Sequence, residues 1–98
     1  MTGGVMTERF NKLTATEDEL YSMLAEEAGE VVVEVMKIKR HGELGYHPDQ
    51  PSLNNLQRLE NEIVEMLSVY QKLGGVVHFE QDDLDEAFRK KMHWMHHS

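Results

Sequence analysis

Two stretches decide how this chain folds: LAEEAGEVVVEVMK, Leu24–Lys37, and LENEIVEML, Leu59–Leu67. Each is an apolar run carrying a pair of glutamates three residues apart, Glu27 with Glu30 and Glu62 with Glu65. On a helix such residues are neighbours, with roughly 5–6 Å between Cβ atoms, so each pair aims two carboxylates at one place. Two helices packed together bring four carboxylates into one small volume. There each unit-charge pair repels by roughly 4 kcal/mol at ~4 Å and an effective dielectric near 20. A cation must offset that repulsion. Hard divalent ions prefer oxygen ligands, and Mg²⁺ takes a few carboxylates while keeping its other positions for water and substrate phosphates.

At about 100° per residue, Leu20, Leu24, Ala28, Val31, Val35 and Ile38 share an arc of roughly 80°, the width of a core-facing stripe. Glu27 and Glu34 lie about 20–40° outside its edge, with Glu30 further along the same flank. On the second helix Leu56, Leu59, Ile63, Met66, Leu67, Tyr70 and Leu73 form the stripe, with Glu62 at its margin and Glu65 beyond. Glu26, Glu60 and Asn61 read as solvated positions.

The run of Glu26, Glu27 and Glu30 followed by Glu62 and Glu65, with Glu27-Ala28-Gly29-Glu30 at the centre of the first motif, resembles the MazG-like all-α nucleoside triphosphate pyrophosphohydrolases. The resemblance spans about Leu20 to Leu73. It implies hydrolysis of a nucleoside triphosphate to a monophosphate and pyrophosphate, with Mg²⁺, or Mn²⁺ in its place, held by Glu27, Glu30, Glu62 and Glu65. It also implies a homodimer or homotetramer. Glu65 stands where the family usually has Asp, which lengthens that ligand by one methylene. By position, Glu34 and Glu26 are the candidates to orient or deprotonate the attacking water. Lys37, beside Glu30 and Glu34 on the helical wheel, is the candidate phosphate contact. An ion pair of Glu34 with Lys37 is the structural alternative for both. Trp94, Tyr46, Phe79, Asn54 and Asn55 are the groups that can meet a base, and none of them selects one.

Length and composition fit this reading. At 98 residues the chain is one domain, residues 1–98, too small to bury more than about 60–65% of its unfolded-chain surface. The expected fold is all-α: an antiparallel helical hairpin with flanking helices, like a four-helix bundle, completed by oligomerisation. A net charge of −8 argues against a polymeric nucleic-acid partner, whereas a nucleotide carried with Mg²⁺ stays compatible. The absence of cysteine excludes disulfides and zinc–thiolate sites. No apolar run approaches the ~18 residues of a membrane span, and MTGGVMTERF lacks the apolar segment of a signal peptide, so a cytoplasmic location is expected.

Along the chain, a short helix is expected over Thr7–Leu13. A capping box at Thr16 and Glu19 opens a long helix from about Glu17 to Arg40. His41–Ser52, with both prolines and two glycines, reads as one long loop. Asn54 or Ser52 caps the second helix, and Gly74-Gly75 ends it. VVHFE reads as an extended connection, and Asp82 or Asp83 caps a last helix bearing Leu84, Ala87, Phe88, Met92 and Met95. Other chemistries fit less well. His93 and His97 have metal-ligand spacing on a terminal tail. QDDLDE lacks the glycine of a calcium loop, and no phosphate-binding glycine loop is present. Neither carboxylate helix has the Glu-x-x-His of a di-iron bundle. The rival from another class is a non-catalytic helical oligomer that binds metal or nucleotide as a regulatory module.

Overall fold

The computed structural model describes residues 10–96. Among them are three helices and one small sheet: α1 (Ala15–His41), β1 (Tyr46–His47), β2 (Gln50–Asn54), α2 (Asn55–Lys72) and α3 (Gln81–Met92). The chain is mostly helical, as expected, and the β1–β2 hairpin is an addition to an all-α fold. Of the expected Thr7–Leu13 helix, residues 7–9 lie outside the described residues, and residues 10–13 are not helical. Its described end is a turn at Phe10–Asn11 followed by irregular chain, with Lys12 at φ 62°.

Thr14 opens α1, two residues before the expected cap. Its side chain accepts from the Glu17 amide (3.0 Å) while the Glu17 carboxylate accepts from the Thr14 amide (2.8 Å). Thr14-x-x-Glu17 and Thr16-x-x-Glu19 are equally good boxes by sequence, and the earlier one adds residues to a helix whose nucleus is already formed. Gly42, at φ 84°, stops α1 in a conformation that a side chain disfavours. Asn54 caps α2 as expected and Gln57 completes a second capping box. Gly74, at φ 91°, ends it. Glu80 caps α3, without a side-chain bond. Asp82 and Asp83 sit instead in its first turn, where negative charge meets the positive end of the helix dipole.

The loop His41–Ser52 proves to be ordered by pairing. β1 and β2 run antiparallel, with Tyr46 opposite Asn54 and His47 opposite Gln50, and an irregularity between the two pairs. The connection returns the chain so that α2 packs against α1 as an antiparallel hairpin.

The buried and half-buried positions show how the two helices meet. On α1 they include Leu20, Leu24, Glu27, Val31, Glu34 and Ile38; on α2 they include Asn55, Leu59, Glu62, Met66, Val69 and Leu73. Both series step by four and three alternately, the seam of a two-helix coil. The seam is therefore rotated from the expected stripes: Glu27 and Glu34 replace Ala28 and Val35, and Asn55, Glu62 and Val69 replace Leu56, Ile63 and Tyr70. Only Val69, 8% exposed, is a buried hydrophobic residue among those described.

The rotation leaves a second apolar face. Each residue following a seam position is turned by about 100°, and in an antiparallel pair those residues fall on the same side of the layer. On α1 they are Tyr21, Ala25, Ala28, Val32, Val35 and Lys39; on α2, Leu56, Glu60, Ile63, Leu67 and Tyr70, so the face is apolar apart from Glu60 and Lys39. Nearly all are exposed, Val32 by 60%. α3 does not cover this face. It shares no extended interface with α1 or α2, and every one of its residues is exposed. One chain is thus a two-helix layer with an appended helix, short of the expected four-helix bundle. The α3 stripe of Leu84, Phe88 and Met92 is narrow and flanked by charges, so docking it gains little apolar area.

Candidate metal centre

Seam geometry brings the glutamates together. Glu27 from α1 and Glu62 and Glu65 from α2 each offer a carboxylate oxygen, and the three lie within 4.8 Å of one another. The Oε2 atoms of Glu27 and Glu62 are closed off from water and have no hydrogen-bond partner in the protein. Burial and the negative charge of Glu65 push the Glu27 carboxyl up. Burial, followed by the charges of Glu65, Glu27 and Glu30, pushes Glu62 up to about 7. Desolvation and like charge both disfavour ionisation, and a cation would reverse both effects. The donor set is all oxygen, which suits Mg²⁺ or Mn²⁺ and not a soft metal.

The other sequence candidates separate by position. Glu30 is exposed and lies outside the group of three, although its charge reaches Glu27 and Glu62. Glu34 is 6% exposed, and both its oxygens accept from Lys37 Nζ, at 3.2 and 3.4 Å. Glu34 and Lys37 thus form the ion pair weighed as their structural alternative. Glu34 also lines, with Glu62 and Glu65, a hollow of about 160 Å³ whose other walls include Gln50, Arg58 and Asn61. Glu26 is exposed and does not line that hollow.

Four lining residues are not evident from the sequence: Gln50 and Leu53, brought in by the β1–β2 hairpin, and Arg58 and Asn61 of α2. Asn61, read as solvated, borders the hollow. Arg58 was not singled out, yet its spacing of four before Glu62 places it on the same face of α2. Of the base-contact candidates, Asn54 is engaged as the α2 cap, and Asn55, 5% exposed, donates to the Gly42 carbonyl at 3.0 Å. Trp94 and Phe79 are exposed. Trp94 stands edge-on to His93, with ring centroids 5.2 Å apart. His97 lies outside the described residues. No known protein family, curated protein or solved structure matches the chain. No helix among the described residues is long and apolar enough to cross a membrane.

Proposed function

We propose that the chain is a Mg²⁺-dependent nucleoside triphosphate pyrophosphohydrolase, with Glu27, Glu62 and Glu65 as the metal ligands and Glu30 adding charge beside them. The supporting observation is the pair of buried, partnerless oxygens on Glu27 and Glu62, converging with Glu65 from two helices. Glu27 and Glu62 are half-buried and Glu65 is exposed, and a cation held among the three would offset the desolvation of the two closed-off oxygens and the like-charge repulsion. When bound, the ion supplies charge neutralisation at the phosphate oxygens and a water of lowered pKa. Glu34, which lines the hollow beside Glu62 and Glu65, is the residue placed to orient the attacking water and accept its proton. The water oxygen bonds to the α-phosphorus as the bond from that phosphorus to the bridging oxygen breaks, giving a nucleoside monophosphate and pyrophosphate. Lys37 holds Glu34 in place and stands ready for a phosphate oxygen. Glu26 has no part in this arrangement.

The reading extends to a second copy of the chain. At about 100° per residue, Glu30, Glu65, Arg58 and Lys37 all fall on the side of the layer opposite the exposed apolar face. A second hairpin packed on that face completes a four-helix bundle and leaves the carboxylates accessible.

The test is pyrophosphate release from a panel of ribo- and deoxyribonucleoside triphosphates with Mg²⁺, with Mn²⁺ and with EDTA. Metal-dependent release with monophosphate as the other product supports the enzyme. No turnover on any substrate, together with thermal stabilisation by the metal, supports the regulatory binding module instead.

A further inference from the structure

A second cavity, of about 350 Å³, opens at the other side of Arg58, where the C-terminal end of α1 meets the β1–β2 hairpin and the start of α2. Its walls carry Lys37, Arg40 and Arg58, with His41, His47 and Tyr46 beside them, and no carboxylate residue lines it. In a chain of net charge −8, that is a local inversion of sign. Neither Arg40 nor Arg58 has an ion-pair partner among the described residues. Arg58 is the more constrained of the two: its Nε and Nη2 atoms are closed off from water and have no acceptor. A buried guanidinium without an acceptor is costly, and the protein supplies none.

The cavity is also held in shape. The Asn55 amide donates to the Gly45 carbonyl (2.7 Å) and its side chain to the Gly42 carbonyl (3.0 Å). At Gly45 a Cβ would lie 2.9 Å from both Asn55 Nδ2 and the His41 carbonyl oxygen, so the loop sits against both helices more closely than a side chain allows.

We infer that this cavity is an oxyanion site for the β- and γ-phosphates of the substrate, and for pyrophosphate once it is released. This rests on the hydrolase reading above and adds to it the place and the residues of the leaving group. Arg58 lines both hollows, so a phosphate chain whose α-phosphorus lies at the carboxylates passes it on the way to Arg40 and Lys37. Planar guanidinium groups bond phosphate oxygens in pairs, and a diphosphate anion suits a cavity walled by two unpaired guanidinium groups, with Lys37, paired to Glu34, beside them.

The experiment titrates the full chain with inorganic pyrophosphate in EDTA by calorimetry, so that neither metal nor turnover enters. The wild type is expected to bind, Arg58→Ala and Arg40→Ala each to weaken binding by about tenfold or more, and Lys90→Ala, at an exposed cation of α3 that lines neither hollow, to leave it intact. Arg40 is exposed, so its variant keeps the test valid if Arg58→Ala unfolds; Arg58→Lys and circular dichroism separate charge from fold. Pyrophosphate binding that is absent, or unchanged in the arginine variants, overturns the site even if hydrolysis is found. Arginine-dependent binding without hydrolysis on any substrate keeps the oxyanion site and removes the hydrolase reading.

Discussion

The α1–α2 seam and α3 treat their polar and apolar residues in opposite ways. The seam, the most protected part of the molecule, holds Glu27, Glu34, Glu62 and Asn55 among its twelve positions. α3 displays Leu84, Phe88 and Met92 to solvent. A chain selected for stability alone would put leucine at the seam glutamates, since burying carboxylates costs free energy that burying apolar groups gains. The contrast teaches that polar groups take protected positions in this hairpin while apolar groups stay on its surface and on α3, the arrangement that the proposed metal centre and second copy would account for.

The largest effects should come from attacking the seam's chemistry. Glu62→Gln or Glu27→Gln is expected to lower pyrophosphate release by about 100-fold or more, with helical circular dichroism unchanged, because a neutral amide cannot replace a carboxylate at the metal. If these variants instead melt early while keeping turnover, the glutamates are structural and the contrast collapses. Next is the exposed face. Val32→Asp should convert an oligomer to a monomer in analytical ultracentrifugation and cost about 2 kcal/mol or more of assembly free energy. A wild type that is already monomeric would break the argument for a second copy.

A pH series sharpens the comparison from the other side. Glu62 has a carboxyl raised from its ordinary 4.5 to about 7, so the fold prefers its protonated form. Without metal, its favourable contribution is fully present below about 4.5 and is lost as the pH rises through about 7. The melting temperature of EDTA-treated protein should therefore fall between those values. Mg²⁺ should restore it above pH 7 and have little effect near pH 5, where protons compete for the same oxygens. A metal-free protein equally stable at both ends would remove the electrostatic strain from the account.

The smallest expected effect lies at Gly29. A Cβ there meets nothing within 4 Å in the single chain, so Gly29→Ala should stabilise α1 by about 0.8–1 kcal/mol in thermal or urea melts. A loss of stability would mean that another chain approaches the backbone there closely.

The glutamate spacing made the cluster partly legible: of the four glutamates expected to converge, Glu27, Glu62 and Glu65 do, and Glu30, the period partner of Glu27, lies outside the group. The helix limits were legible to within a few residues, because capping residues and glycines mark them. The rotation of the seam was not. Ala28 and Val35 satisfy an apolar stripe as well as Glu27 and Glu34 fail it, and only the approach of α2 decides which line is covered. Arg58 was missed for a related reason. Lys37 neighbours Glu34 by the helical period of α1 alone, whereas Arg58, on α2, meets Glu34 only across the seam. The β1–β2 hairpin hid behind prolines and glycines that read as a break in helix and say little about short-range pairing.

The clasp between loop and helix has one more consequence. The amides of Asn55 and Leu56 are among the donors that a helix start leaves unpaired, and they are taken up by the carbonyls of Gly45 and Glu43, at 2.7 and 3.0 Å. Lifting the loop would strand those amides and release the Asn55 side chain from Gly42 as well. The connection therefore behaves as a fixed wall and not as a lid. If the proposed sites bind ligands, their exchange should follow solvent viscosity without a slow opening of this connection.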